Sequence, residues 1–156
     1  MRTRWLGLLA VVMAAGCGGS SNEPVTQADA EKNALSDVGE LYRMYTFEKK
    51  KAPTKVADFT PLEAMNPMGL DAIRKGGVIV RFGANLPDTN EGPGTGTSDE
   101  VLAYQKQVPV SGGEVLMLNR TIKTMTADEF KSAKLAGTSS SAPDGARPTA
   151  KSVGKK

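Results

Sequence analysis

Cys17 is the only thiol among 156 residues, and the chain contains no histidine. No Ser-His-Asp or Cys-His relay can therefore be assembled, no imidazole can hold a metal, and no intramolecular disulfide or cysteine zinc site can form. Carboxylates remain. Asp58, Glu63 and Asp71 are spaced so that a fold could bring two of them together as an acid–base pair on a glycosidic bond. Solvated surface acids are the plainer reading, because Tyr and Phe would be the only sugar-stacking rings once the single tryptophan, Trp5, is discounted. Asp88-Thr89-Asn90-Glu91-Gly92 begins like a calcium loop, with oxygen ligands at alternate positions. Such a loop needs Gly at its sixth place and Glu at its twelfth, where this chain has Pro93 and Asp99. Gly92-Pro93-Gly94-Thr95-Gly96 lacks a following Gly-Lys-Ser/Thr, and Pro93 takes one amide donor away from any phosphate cradle. Both stretches read as one surface loop, and neither a cofactor nor a metal site is expected.

Cys17 stands at the end of a patterned N-terminus. Arg2 and Arg4 give a positive start, and Trp5 to Ala15 is an unbroken run of apolar and small residues. Eleven such residues suit the core of a secretory signal, whereas a spanning helix needs about 20. Polarity then rises sharply through Gly18-Gly19-Ser20-Ser21-Asn22-Glu23-Pro24.

Ala14-Ala15-Gly16-Cys17 resembles the bacterial lipobox, with Ala14 standing where Leu is usual. That resemblance implies cleavage between Gly16 and Cys17 and a diacylglyceryl group, with further acylation, on the Cys17 thiol. Two or three acyl chains hold a protein firmly at a bilayer, which one chain alone does not. The implied location is the cell envelope, with the protein anchored by lipid on the periplasmic or extracellular side. Met13-Ala14-Ala15-Gly16 also suits ordinary secretory cleavage, which would leave Cys17 a free thiol. Removing residues 1–16 takes away Arg2 and Arg4 and leaves 18 basic against 17 acidic residues, so the precursor's pI near 9.0 is no argument for a nucleic-acid partner.

The rest of the chain reads as a tether over 17–27, a single α+β domain over 28–136, and a disordered basic tail over 137–156. Leu35, Val38, Leu41, Tyr42 and Tyr45 recur at helical spacing. Acids lie early in that helix, and Lys49-Lys50-Lys51 sit at its end as a solvated terminus before Pro53. Thr60-Pro61-Leu62-Glu63 predicts a helix start, Asn66-Pro67-Met68-Gly69 a turn, and Leu70 to Lys75 a short helical turn closed by Gly76-Gly77. Val78–Phe82, Val101–Gln105, Glu114–Leu118 and Thr121–Met125 predict a small antiparallel sheet of about four strands. The last two join through Asn119-Arg120, where a tight hairpin would favour Gly at the second place. Thr126-Ala127-Asp128-Glu129 is a second capping box. The segment from Gly137 has no apolar period and one acid, Asp144, against Arg147, Lys151, Lys155 and Lys156.

This order, a helix ending near Tyr45, a short leucine-bearing helix and then the hairpin around Glu114–Lys123, resembles the globular part of pilin-like and pseudopilin-like domains. The likeness spans Leu35 to Phe130, without the long apolar helix that assembles pilin filaments. It implies a helix packed on the sheet and an accessory role in a secretion or pilus system. The leading expectation is a lipid-anchored envelope protein with a non-catalytic, structural or interaction role towards an envelope protein or the cell wall. A carboxylate-dependent cell-wall hydrolase is the third reading.

Overall fold

In the computed structural model, which describes residues 27–141, the first element is helix α1, Gln27–Lys49. Its apolar stripe is buried as the spacing requires: Leu35, Val38, Leu41, Tyr42 and Tyr45 all face the core. Lys50 adopts a left-handed φ of 56° and closes the helix, its N–H reaching Thr46 O at 2.9 Å.

A 3-10 helix, Val56–Leu62, and helix α2, Pro67–Arg74, then fold back on α1. Both begin earlier than the sequence predicts. The Asp58 carboxylate accepts from the Thr54 amide at 2.7 Å and the Lys55 amide at 3.3 Å, so the turn is organised four residues ahead of Thr60. Pro67 is the first residue of α2 rather than part of a turn, a place where its missing N–H costs nothing. Gly69 lets α2 approach α1 closely: a Cβ there would lie 2.7 Å from Asp37 Cβ, and the Gly69 amide donates to Asp37 Oδ2 at 3.1 Å.

The sheet consists of β1 (Val78–Phe82), β2 (Glu100–Gln105), β3 (Gly113–Met117), β4 (Ile122–Met125), β5 (Lys134–Leu135) and β6 (Ser139–Ser140). Its order is β4-β3-β2-β1-β6, antiparallel throughout, with β5 added parallel to β2. Helices α3 (Val108–Ser111) and α4 (Ala127–Ser132) lie in the connections. Thr126 caps α4 as its sequence predicts: Glu129 N–H donates to Thr126 Oγ1 at 3.2 Å, and Thr126 N–H donates to Glu129 Oε2 at 2.7 Å.

Both faces of the sheet are covered. Val80, Phe82, Leu102 and Leu116 pack with α1 and α2, where Phe59 meets the rings of Tyr42, Tyr45 and Phe82 at 6.1, 6.4 and 6.0 Å. Ile79, Val101, Tyr104, Val115 and Met117 form a smaller core with Val108 and Phe130 on the other face. The architecture is α+β.

The ordered chain runs past the expected boundary at Ala136. Residues 137–141 were expected in the disordered tail, yet they form a strap along β1: Thr138 N–H donates to Phe82 O at 2.8 Å and Ser141 N–H to Val80 O at 2.9 Å. Backbone pairing needs no apolar side chain, so an amphipathic count cannot see it. Gly137 makes the crossing possible with φ 64°, at a point where a Cβ would collide with Phe82 O. The sheet thus has six strands rather than four, two of them only two residues long.

Candidate functional site

Gly16 and Cys17, the positions assigned to cleavage and lipidation, lie outside the described residues, as do Arg2, Arg4 and residues 142–156 of the tail. The structure does place the acids and loops that the sequence singles out. Glu63 is bound to Arg74, whose Nη2 reaches Glu63 Oε2 at 3.0 Å, and Asp71 pairs with Lys75 at 2.8 Å. Asp58 is held in its own turn, where the Thr54 hydroxyl also donates to it at 3.0 Å. Each of the three carboxylates thus has a local structural task, and Asp58 works in a different turn from the other two.

The calcium-like stretch and the glycine-rich stretch form one clasp over Arg120, which the sequence marks only as a residue in a hairpin turn. Arg120 occupies the hairpin position where Gly is favoured, with φ 63°, and its side chain is only 3% exposed. Its Nη2 donates to Asp88 Oδ1 at 2.8 Å, and its Nη1 lies 3.5 Å from Glu40 Oε1. Glu40 Oε2 in turn accepts from Arg43 Nε at 2.7 Å, and Arg43 Nη1 donates to Thr89 O at 3.4 Å. Two guanidinium groups and two carboxylates therefore neutralise one another between α1, the loop and the hairpin. Nε and Nη1 of Arg120 are buried without a hydrogen-bond acceptor among the described residues.

The loop is tied down at its other atoms as well. Asp88 accepts from the Asn90 amide at 3.1 Å and the Thr95 amide at 2.9 Å. Gly94 N–H donates to Asn119 O at 2.8 Å, and Asn119 Nδ2 donates to Gly96 O at 2.7 Å. A Cβ on Gly94 would stand 2.6 Å from Asn119 O, so the glycine serves close backbone approach. The amides of Gly94 and Thr95 are turned to protein acceptors, and both Asp88 oxygens are taken. Among the described residues no group of three or more acidic, Cys or His side chains is placed to hold a metal ion.

An open groove of about 500 Å³ runs between β4 and α4, lined by Met117, Lys123, Met125 and Ala133, with Asp99 and Glu129 at its rim. Asp99 is paired with Lys134 at 2.8 Å, and Glu129 is the α4 cap. Both rim acids are thus held by bonds that build the fold.

These bonds set how stability responds to pH. The Thr95 amide, with Asn90 and Arg120, holds the Asp88 carboxyl below its usual range, and the Thr126 amide and hydroxyl do the same for Glu129. Burial pushes Asp58 up, but the Thr54 and Lys55 bonds outweigh it and leave that carboxyl lowered too. Carboxyls lowered in the folded state add stability above their unfolded values, and that stability is lost as pH falls through the folded ones. At the other end, burial pushes the Tyr42 hydroxyl up to about 12 against the opposing bond to Ala84 O. That contribution is complete below the unfolded value of 10.0 and lost as pH rises towards 12. With no histidine in the chain, no side chain ordinarily titrates between about pH 5 and 8. Thermal melts should give a Tm that is level from about pH 5.5 to 8 and falls below about pH 4. A sloping Tm inside that plateau would contradict this account.

No helix among the described residues is long and apolar enough to cross a membrane. No protein-family model matches the chain, and no curated protein or solved structure matches it either.

Proposed function

We propose that this chain is a lipid-anchored protein of the bacterial cell envelope, held by acyl groups on Cys17 and acting by contact with an envelope protein or the cell wall rather than by catalysis. One observation carries the reading: Arg2 and Arg4, the apolar run to Ala15, and Ala14-Ala15-Gly16 stand in the order of a lipoprotein signal immediately before the chain's only cysteine. Two further observations support it. The first described helix, α1, lies within ten residues of Cys17, so an anchor there would sit close to the domain. The acids that a hydrolase would draw on, Asp58, Glu63 and Asp71, are engaged in a turn and in ion pairs.

The test is metabolic labelling in a bacterial host with a clickable palmitate analogue. The wild-type chain should label and fractionate with membranes, while Cys17→Ser should lose the label entirely. Equal labelling of both chains, or of neither, overturns the proposal.

A further inference from the structure

Lys49, Lys50 and Lys51 read in the sequence as a solvated helix end, and the fold gives them apolar neighbours. Phe47, one turn back on α1, is 55% exposed, and Lys50 Nζ lies 4.3 Å from the centre of its ring. The turn into α2 comes alongside, with Asn66 Nδ2 donating to Met44 Sδ at 3.5 Å. Met65, next to Asn66, is 66% exposed. Phe47 and Met65 are thus two large apolar side chains in water near the end of α1 that carries the exposed lysines. Of the neighbouring acids, Glu48 pairs with Lys49 of the run itself at 3.6 Å, and Glu63 pairs with Arg74. Lys50 and Lys51 have no ion pair among the described residues.

Exposed aromatic and methionine side chains rimmed by lysine match the chemistry of a bilayer interface: apolar groups enter the headgroup–acyl boundary, and ammonium groups meet anionic headgroups. The distance from a Cys17 anchor is within the chain's reach: α1, with 23 residues, is about 34 Å long, and ten residues can span at most about 35 Å.

We infer that Phe47 and Met65, together with Lys49, Lys50 and Lys51, form a second membrane contact that seats the domain on an anionic bilayer surface. The inference rests on the proposed lipid anchor but uses different residues, so the two can fail separately.

The test uses residues 18–156, which retain the whole described unit and contain no tryptophan. Phe47→Trp then introduces a single fluorophore at the face. Adding mixed phosphatidylglycerol–phosphatidylcholine vesicles should shift its emission to the blue and allow quenching by brominated acyl chains, whereas pure phosphatidylcholine should do little. Replacing Lys49, Lys50 and Lys51 with Gln should weaken binding on the order of 100-fold, near fivefold for each lysine. Circular dichroism would check that the fold is kept. No blue shift with anionic vesicles overturns the inference. So does binding that survives the lysine changes and disappears when the chain is ended after Ser141, because the basic tail would then be the contact. Palmitate labelling keeps the readings apart: a chain that labels but does not seat loses only the face, and one that seats without labelling loses only the anchor.

Discussion

Phe59→Ala should destabilise the domain by about 3–5 kcal/mol, the usual loss for a fully enclosed phenylalanine. Phe59 has no exposed surface, and it is the ring that Tyr42, Tyr45 and Phe82 all meet. It therefore joins α1, the 3-10 helix and β1 at one point. Truncation leaves a hole walled by three rings held on two separate elements, α1 and β1, so collapse cannot fill it cheaply. Domains of this size hold about 5–15 kcal/mol in all, and the variant should stand close to the folding threshold. Urea denaturation of residues 18–156 measures it. Phe59→Leu, which keeps most of the volume, should recover more than half of the loss. A loss under about 1 kcal/mol for Phe59→Ala would mean that the aromatic cluster does not organise the core.

Arg120→Ala should cost about 3 kcal/mol, and Arg120→Gly about 1 kcal/mol less. The two substitutions remove the same guanidinium, so their difference isolates the backbone: φ is 63° at this position, a conformation that glycine adopts freely and alanine does not. The common part reports the charge network. Without Arg120, the Asp88 and Glu40 carboxylates lose their shared partner, but at 16% and 31% exposure both keep some access to water. That places the cost near the lower end of what breaking a buried ion pair costs. Paired denaturation curves decide the matter. If the alanine variant equals or exceeds the glycine variant in stability, the left-handed backbone carries no strain. If both match wild type, the clasp contributes nothing.

Arg120 also shows where sequence reasoning stops. The periodic segments are legible because one local rule decides each of them: apolar spacing makes α1, a β-branched run makes β1, a short apolar run makes β2, and Thr126 with Glu129 makes the α4 cap. The hairpin position marks Arg120 as a place where Gly is favoured, but nothing local tells where its side chain goes. Its partners, Glu40 and Asp88, stand far away in the sequence, and an arginine in a hairpin turn ordinarily faces water. Thr60-Pro61-Leu62-Glu63 misled for the reverse reason. Its pattern is a helix start, but Asp58 captures the amides ahead of it and Glu63 is drawn to Arg74. The strap over 137–141 is built from backbone bonds, on which residue polarity has no bearing. The proposed role of Cys17 rests on sequence alone, since a processing signal is a linear motif. The exposure of Phe47 and Met65 is a tertiary outcome, and the lysine run alone did not separate a solvated helix end from a contact face.

The strap has a consequence in time. Translation delivers the chain from its N-terminus, so β1 is made about 60 residues before the segment that flanks it at β6. Until Ser139 to Ser141 arrive, the outer hydrogen-bonding row of β1 has no partner strand, in a segment reading Val-Ile-Val-Arg-Phe. Open edges of that composition are the ones that pair with neighbouring chains. Residues 139–141 thus act as the seal on β1, and the interval before they appear is when that strand is most exposed to misassociation.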